Sequence, residues 1–558
     1  MAKNYIRRSV WENCGVLLDD EAFISNPEKG NKDLYWYAKA VAEMRKLPLE
    51  DHNSWGFFGA MHGITMDDVD DTGKEQLNWH KLIDFPEFQK INVQALIKIH
   101  DVETGDGLWN QCQHATWFFL PWHRGYLLAI ETILRKHIIK LGGPDDWALP
   151  YWDYNDKDYS NLNSISIPPA FTQKTFNGES NPLYLQQRYP NPADLRDQTF
   201  INLKQLQEAK PDFDLNKETI NSLYTLNFTS KIDNDIVKEL GFGGGETNFS
   251  HDGHRSSTGS VEQYPHNIMH VLVGGIGTFG LMNDPNFAAL DPLFYVHHAN
   301  IDRLWSVWNK YDHIDPTNNT NPTDDTWLSP ELRSPFIVPN PDETNWDFVP
   351  KDVTNEEGLN YQYTSSYIYT VAFGTKLSPV STSNKVLLRM KKFGLDKFNQ
   401  EKTDIELIGS TTNKIQITGL TPVSISIDKK NPQLKNGFKS VVQVIEQNLK
   451  KLITPSKFYL LVEGIKGNQE GVFLSIKTPN QQTLKSVALF GLINASKQNG
   501  EHSGLGINLS IDITEYVDEL YLNNQIQELD DLQLYVEPIG LNQKSTLSIE
   551  KITVHQDN

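Results

Sequence analysis

His266 and His270 stand four residues apart, and His298 follows twenty-eight residues later at the end of the run Asp291-Pro-Leu-Phe-Tyr-Val-His297-His298. Upstream, His62, His114 and His123 form a second trio. A fold built from this chain must find partners for these rings, because a buried ring nitrogen left unsatisfied is costly. Neutral imidazole is a good ligand for copper, zinc, iron and nickel. Two all-imidazole sets with no carboxylate and no full thiolate set favour copper over magnesium, calcium or structural zinc. The spacing therefore predicts a binuclear copper site. Thirteen of the sixteen histidines lie at or before residue 298, which puts that chemistry in the N-terminal part.

At 558 residues the chain is too long for one ordinary core, so two or more domains are expected. Its 51 basic and 71 acidic residues leave a net charge of −20, a field that repels nucleic acid and anionic membranes. Cys14 and Cys112 are the only cysteines, so disulfides are not expected to hold the fold. No apolar stretch of signal-peptide or bilayer-spanning length is evident, and a soluble, cytoplasmic protein is expected.

The N-terminal part reads as helices joined by long loops. Apolar spacing predicts one helix over 125–141, stopped by Gly142-Gly143. A second is predicted over 265–273, with Pro265 in its first turn and Gly274-Gly275 at its end. A third runs from Pro292 to about Lys310 with Asp291 as N-cap. The texture changes past about residue 375. Residues 374–384 form a polar linker, and short β-type runs follow at 414–418, 423–427, 458–462, 472–476, 532–536 and 547–553. These predict an all-β sandwich, with a helix inserted over 438–452. The domains expected are 1–373, mainly α and carrying the metal, and 385–558, all β, with only His502 and His555 to offer.

Single motifs are weaker than their combination. His266 and His270 share one helical face and can grip one metal. On the third helix His298 lies among Phe294, Ile301, Trp305 and Trp308, a stripe that is core packing for the aromatics. His297 points about a hundred degrees away. Nine residues would set His114 and His123 on opposite sides of a continuous helix, and Pro121 predicts a break that lets them converge. Cys112 reads as a plain buried thiol unless an oxidising metal is beside it. His62 carries no signal by itself, and His52, His80 and His100 rival it.

Together the blocks resemble the type 3 copper family of tyrosinases, catechol oxidases and haemocyanins over roughly residues 1–370. The most specific piece is Asp291 to Trp305, close to the second-copper signature; His114 to Arg124 is similar to the first. The resemblance implies copper A on His62, His114 and His123, and copper B on His266, His270 and His298. It also implies a thioether between Cys112 and His114, since Cys112-Gln-His114 has the form found in short fungal-type tyrosinases. Glu262 and Asn267 match a pair that holds a proton-accepting water, although Glu262 also suits a first helical turn by charge alone. Pro285 falls where some relatives carry a phenylalanine over the copper pocket, and Val271 where they carry a pocket wall. Tyr361-Gln-Tyr363 looks like the paired-tyrosine motif that closes the catalytic domain. The segment beyond it resembles the β-sandwich lid of latent plant polyphenol oxidases.

The expected activity is copper-dependent oxidation of small phenols by dioxygen, hydroxylating monophenols and converting o-diphenols to o-quinones, in a latent proenzyme. A catechol oxidase with little monophenol activity is the rival, and a haemocyanin-like oxygen carrier a more distant one. One lid side chain, of unspecified identity, is expected over the substrate position, released by detergent, acid or cleavage in the linker.

Overall fold

The computed structural model describes residues 4–11, 32–64, 68–69, 75–76, 79, 108–109, 111–155, 167–176, 179–185, 188, 206, 213–247, 257–278, 280–310, 321–329, 336–354, 358–364, 392–393, 405–426, 456–497, 504–523, 525 and 531–557. The linker 374–384 and the inserted helix 438–452 lie outside them, as do Cys14, His80 and His100.

Four helical elements carry the chemistry of the N-terminal domain, packed with α1 (Lys32–Met44) on one aromatic-rich core. Helix α2 (Trp55–His62) starts at Ser54, whose side chain accepts from the Phe57 amide, and buries almost every residue it has. An apolar surface all round marks a fully embedded helix. Helix α3 spans Phe119–Lys140 and so begins six residues earlier than the spacing predicts. Pro121 sits in its first turn, where the missing amide has no intrahelical acceptor to lose. The chain break thus falls before Pro121, leaving His114 on the preceding loop and His123 on the helix.

The helix expected over 265–273 is two pieces. Glu262–Asn267 is a π-helical turn with Tyr264 in extended geometry, and α4 (Ile268–Gly274) continues from it. Pro265 cannot supply an amide, so a regular α-helix is not carried through it. A short turn, α5 (Pro285–Ala288), and the long α6 (Leu293–Asn309) complete the set. The cap of α6 falls at Pro292, one residue past the expected Asp291, whose Oδ1 accepts from the Leu293 amide at 3.0 Å while Arg188 holds the same carboxylate with two nitrogens.

Asp302, one turn past His298, is the clamp. Its carboxylate accepts from Arg124 Nε at 2.5 Å, from Arg7 Nη1 at 3.0 Å, and from the hydroxyls of Tyr361 at 2.7 Å and Tyr363 at 2.5 Å. Arg124 follows His123, so one buried ion pair ties α3 to α6. Strand β1 (Tyr5–Arg7) pairs in parallel with β4 (Tyr361–Tyr363), bringing the chain's start to the tyrosine motif. Between them in sequence, β2 (Lys231–Asp233) and β3 (Ile236–Glu239) form a surface hairpin.

The C-terminal domain is β-rich, in line with the sequence, with two helices among its described residues. Its strands are β5 (Ile405–Ser410), β6 (Ile415–Ile417), β7 (Thr421–Ser426), β8 (Lys457–Gly467), β9 (Phe473–Lys477), β10 (Thr483–Ala488), β11 (Ile507–Asp512), β12 (Asp531–Ile539) and β13 (Leu547–Asp557); the helices are α7 (Leu492–Ser496) and α8 (Thr514–Leu522). They form one hydrogen-bonded path, β10-β9-β12-β7-β5-β13-β8-β11, with β6 added to β13. Every strand contributes to a single second core, so the sheet must curve around it. This closes the two expected faces of the sandwich on each other.

The two domains touch closely. Tyr264 Oη donates to Ser486 O at 2.6 Å, Lys485 Nζ to Gln263 Oε1 at 2.8 Å, and Asn286 Nδ2 to Asn494 Oδ1 at 2.8 Å. At one seam Gly277 N donates to Gly471 O at 2.9 Å, and both glycines have φ of +73°. A Cβ on Gly471 would stand 2.5 Å from Gly275 O, so a side chain there would part the domains. No helix among the described residues is long and apolar enough to cross a membrane.

Candidate metal centre

Two groups of ligand atoms face each other between α2, α3, α4 and α6. In the first, ligand atoms of His62, Cys112, His114 and His123 all lie within 4.8 Å of one another; in the second, those of His266, His270, His297 and His298 do. His298 Nε2 is 3.3 Å from His266 Nε2 and 3.4 Å from His270 Nε2. Three nitrogens about 2.0 Å from one metal at tetrahedral angles lie about 3.3 Å apart, so this trio already has the spacing of a metal shell. The groups meet through His123 and His298, whose rings stack at 4.4 Å with 13° between their planes.

The backbone sets the tautomers. His62 Nδ1 meets Pro285 O at 2.6 Å, His123 Nδ1 meets Phe119 O at 2.8 Å, and His270 Nδ1 meets Met282 O at 2.7 Å. A carbonyl only accepts, so each Nδ1 carries the proton and each Nε2 keeps its lone pair for a metal. His266 Nδ1 has the same arrangement with Asn267 Oδ1 at 2.8 Å. Burial lowers the pKa of His62 to about 4 and holds His123, His266, His270 and His298 well below their usual range. These imidazoles are therefore neutral at ordinary pH, as ligands must be. His62 Nε2 is buried without a hydrogen-bond partner, a state a bound ion would relieve. The donor set fits two copper ions.

His297 is the residue the spacing placed outside. It is fully buried, both its ring nitrogens lack hydrogen-bond partners, and burial lowers its pKa to about 3. Its ring centroid lies 5.4 Å from His266 and 5.0 Å from His270, with Tyr154 6.0 Å away. It thus backs the second group, while His298 stands between the two. Of the rivals to His62, His52 stacks on Phe57 at 4.3 Å and belongs to neither group.

Cys112 Sγ is 3.5 Å from His114 Nδ1 and 3.7 Å from His123 Nε2, inside the first group rather than packed as an inert thiol. Glu262 is 1% exposed, and its Oε1 accepts from the Ala115 amide at 2.8 Å. Ala115 follows His114 with φ of 54°, so this carboxyl also steadies the loop of the opposite group. Burial pushes the Glu262 pKa up to about 8, and Oε2 has no partner. A cavity of about 130 Å³ opens beside it, walled by His114, Glu262, Asn267 and Pro285. Val271 does not line it. One residue past His270 on α4, it turns about a hundred degrees away into the core.

The fourth wall comes from the β domain. Phe490, in the turn between β10 and α7, stacks on His270 at 4.3 Å and 26°, and presents its ring to His114 at 5.7 Å and to His266 at 5.8 Å. Sequence reasoning could not single it out, because β10 itself was not among the predicted runs; Phe490-Gly491 is an ordinary turn signal.

The common central domain of tyrosinase matches over residues 52–311, spanning both histidine groups. The chain thus carries, over just under half of its length, the central domain of the tyrosinase and polyphenol oxidase family of type 3 copper proteins. It is a copper-dependent oxidoreductase of phenols. Residues 404–557 match a separate domain family of unknown function (DUF7868). Tyrosinase HcTyr1 of Hahella sp. (strain CCB-MM4) is 28% identical over 94% of this chain and 97% of its own. The chloroplastic polyphenol oxidase of Spinacia oleracea is 30% identical over 36% of this chain, and the match spans 30% of that protein's length. The fold of the whole chain is similar to latent apple tyrosinase, with TM-score 0.52 and 18% identity, covering 100% of this chain and 98% of that one. Latent aurone synthase gives TM-score 0.52 at 17% identity, covering 100% and 90%.

Proposed function

We propose that this tyrosinase-family enzyme hydroxylates monophenols as well as oxidising o-diphenols, and that its β domain keeps it latent. His62, His114 and His123 would hold one copper, and His266, His270 and His298 the other. When bound, the pair supplies the redox chemistry with dioxygen. The chain's own residues do the rest.

The observation that carries the monophenol reading is Glu262, whose unpaired Oε2 borders the cavity next to Asn267. A phenol has a pKa near 10 and must lose its proton before it can react at a metal as phenolate. Glu262, acting directly or through one water, takes that proton; a base poised near working pH is suited to it. Asn267 fixes the orientation of His266 beside the base. Pro285 leaves the rim without a bulky ring, and its carbonyl orients His62.

Latency rests on Phe490. With its ring on His270, a substrate ring is denied that face while the β domain stays docked. The test is turnover of tyrosine and catechol by copper-loaded full chain before and after limited proteolysis in 374–384. Both activities should appear, and both should rise on cleavage. Catechol oxidation without tyrosine oxidation would reduce the enzyme to a catechol oxidase; equal rates before and after cleavage would remove the lid role.

A further inference from the structure

Between the domains lies a second, larger cavity of about 570 Å³. Its floor is the β2–β3 hairpin of the catalytic domain, and its roof is β8, β10 and β11 of the β domain. Six residues wall both this cleft and the small copper-side cavity: Ser257, Thr258, Gln263, Val487, Asn508 and Leu509. These six form a shared boundary between the two spaces, whose inner side Glu262 and Phe490 line; a passage through it would be a neck at this wall.

Size and charge indicate what fits. A volume of 570 Å³ falls within the range of small-molecule sites, roughly 300–1,000 Å³. The inner 130 Å³ is close to the roughly 150 Å³ of a protein cavity that takes one benzene. Tyr459 and Leu461 are packed on Ile236 beneath the cleft, so the apolar surface it presents comes from Val237, Leu240, Val487 and Leu509. Four lysines (Lys231, Lys238, Lys457 and Lys485) and four carboxylates (Asp235, Glu239, Asp512 and Asp557) line the cleft, so its charges balance; Lys231 pairs with Glu239 at 2.6 Å and Lys238 with Asp557 at 3.2 Å. Such walls suit an uncharged ring over an ionised one.

We propose that this cleft is an outer binding site for uncharged single-ring phenols, and a side entrance to the copper pocket while the β domain remains docked. The inference rests on the phenol-oxidase reading. It adds that latency is a size filter: the closed chain keeps a slow turnover of catechol-sized substrates, admitted past Phe490, and refuses rings with bulky substituents until the β domain leaves.

Leu509, half-buried on β11 at the shared wall and in neither histidine group, is the position to change. Leu509→Trp fills the neck and Leu509→Ala widens it. In metal-free full chain, the 19F line of 4-fluorophenol should broaden with wild type and with Leu509→Ala, and broaden less with Leu509→Trp, whose indole takes up the inner end of the cleft that Leu509 lines. In copper-loaded, uncleaved chain, catechol turnover should fall at least about tenfold in Leu509→Trp and rise in Leu509→Ala. After cleavage and removal of the β domain all three should agree. Equal 4-fluorophenol broadening and equal uncleaved turnover in the three proteins would overturn the proposal. Should Leu509→Trp not fold, an unchanged Leu509→Ala would overturn it alone. Cleaved chain that fails to oxidise catechol would defeat the phenol-oxidase reading instead, and the metal-free binding result would still decide whether the cleft is a site.

Discussion

Glu262 accepts a hydrogen bond from the loop of one metal group while standing four residues before a ligand of the other. Replacing it by Gln keeps an acceptor for Ala115 and removes the base. Glu262→Gln should therefore lower tyrosine turnover by about tenfold or more, with a smaller loss on catechol. Because burial raises its pKa, the wild-type tyrosine rate should climb with pH as Glu262 ionises, a limb that Glu262→Gln lacks. Equal losses on the two substrates would leave Glu262 only its hold on the loop. Cys112 carries the second prediction. Its sulfur lies at the edge of the His114 ring, so copper and dioxygen should oxidise the pair to a thioether, replacing one S–H and one ring C–H by a C–S bond. Mature protein should weigh less than the apo chain by that pair of hydrogens, and Cys112 should resist alkylation after denaturation while Cys14 labels. A fully alkylated Cys112 would exclude the bond. At this scale most of the site was legible, because imidazoles at fixed spacing carry their own chemistry. The carbonyls of Phe119, Met282 and Pro285 were not legible, since every residue has one and only the fold aims it.

Helices α3 and α6 are held together by a buried charge cluster rather than by apolar packing alone. Asp302 answers two arginines and two tyrosines at 3% side-chain exposure, and those partners hold its pKa below the usual carboxylate range against the effect of burial. Removing one member of such a cluster strands the others, at a cost of about 3–5 kcal/mol. Asp302→Ala should lower unfolding stability by that order and weaken copper retention, because His123 and His298 ride on the two helices it joins. A denaturation midpoint unchanged from wild type would refute the clamp. The elements themselves were partly readable. Periodicity located α6 to within a residue or so, but it began α3 six residues late, at 125, and did not separate the π-helical turn from the helix that follows it. Six of the nine β-domain strands lie on predicted runs. The missed ones, β5, β10 and β11, mix Ser, Lys, Gly and Asp into their alternation and owe their pairing to neighbours far along the chain.

Among the described residues two large cores, with a small cluster of Ile236, Tyr459 and Leu461 between them, meet at a seam where Phe490 lies on His270. Glu470, 2% exposed, accepts from the amides of Leu492 at 3.2 Å and Ile493 at 2.7 Å, so it holds the turn that carries Phe490. Burial, and then Asp284 of the catalytic domain, raise its pKa well above the usual carboxylate range. Docking thus favours protonated Glu470; undocking removes Asp284 and readmits water, lowering the pKa. Docking should weaken as pH rises and tighten as it falls, so at this pair acid opposes release. Uncleaved wild type should be nicked at 374–384 faster near about pH 9 than near about pH 6, a difference that Glu470→Gln should flatten. An unchanged pH dependence in Glu470→Gln would assign it elsewhere. A helical part followed by a β part was legible from the change of texture near residue 375, whereas the contact of Phe490 on His270 was not, because it depends on how the domains meet. The most direct test of a dicopper phenol oxidase closed by its own β domain is Phe490→Gly in the full chain, loaded with copper and assayed on catechol without cleavage. The account predicts two coppers bound per chain and turnover raised about tenfold or more, toward that of the cleaved wild type. Turnover that stays at the uncleaved wild-type level, with both coppers bound and cleavage still activating, would contradict it.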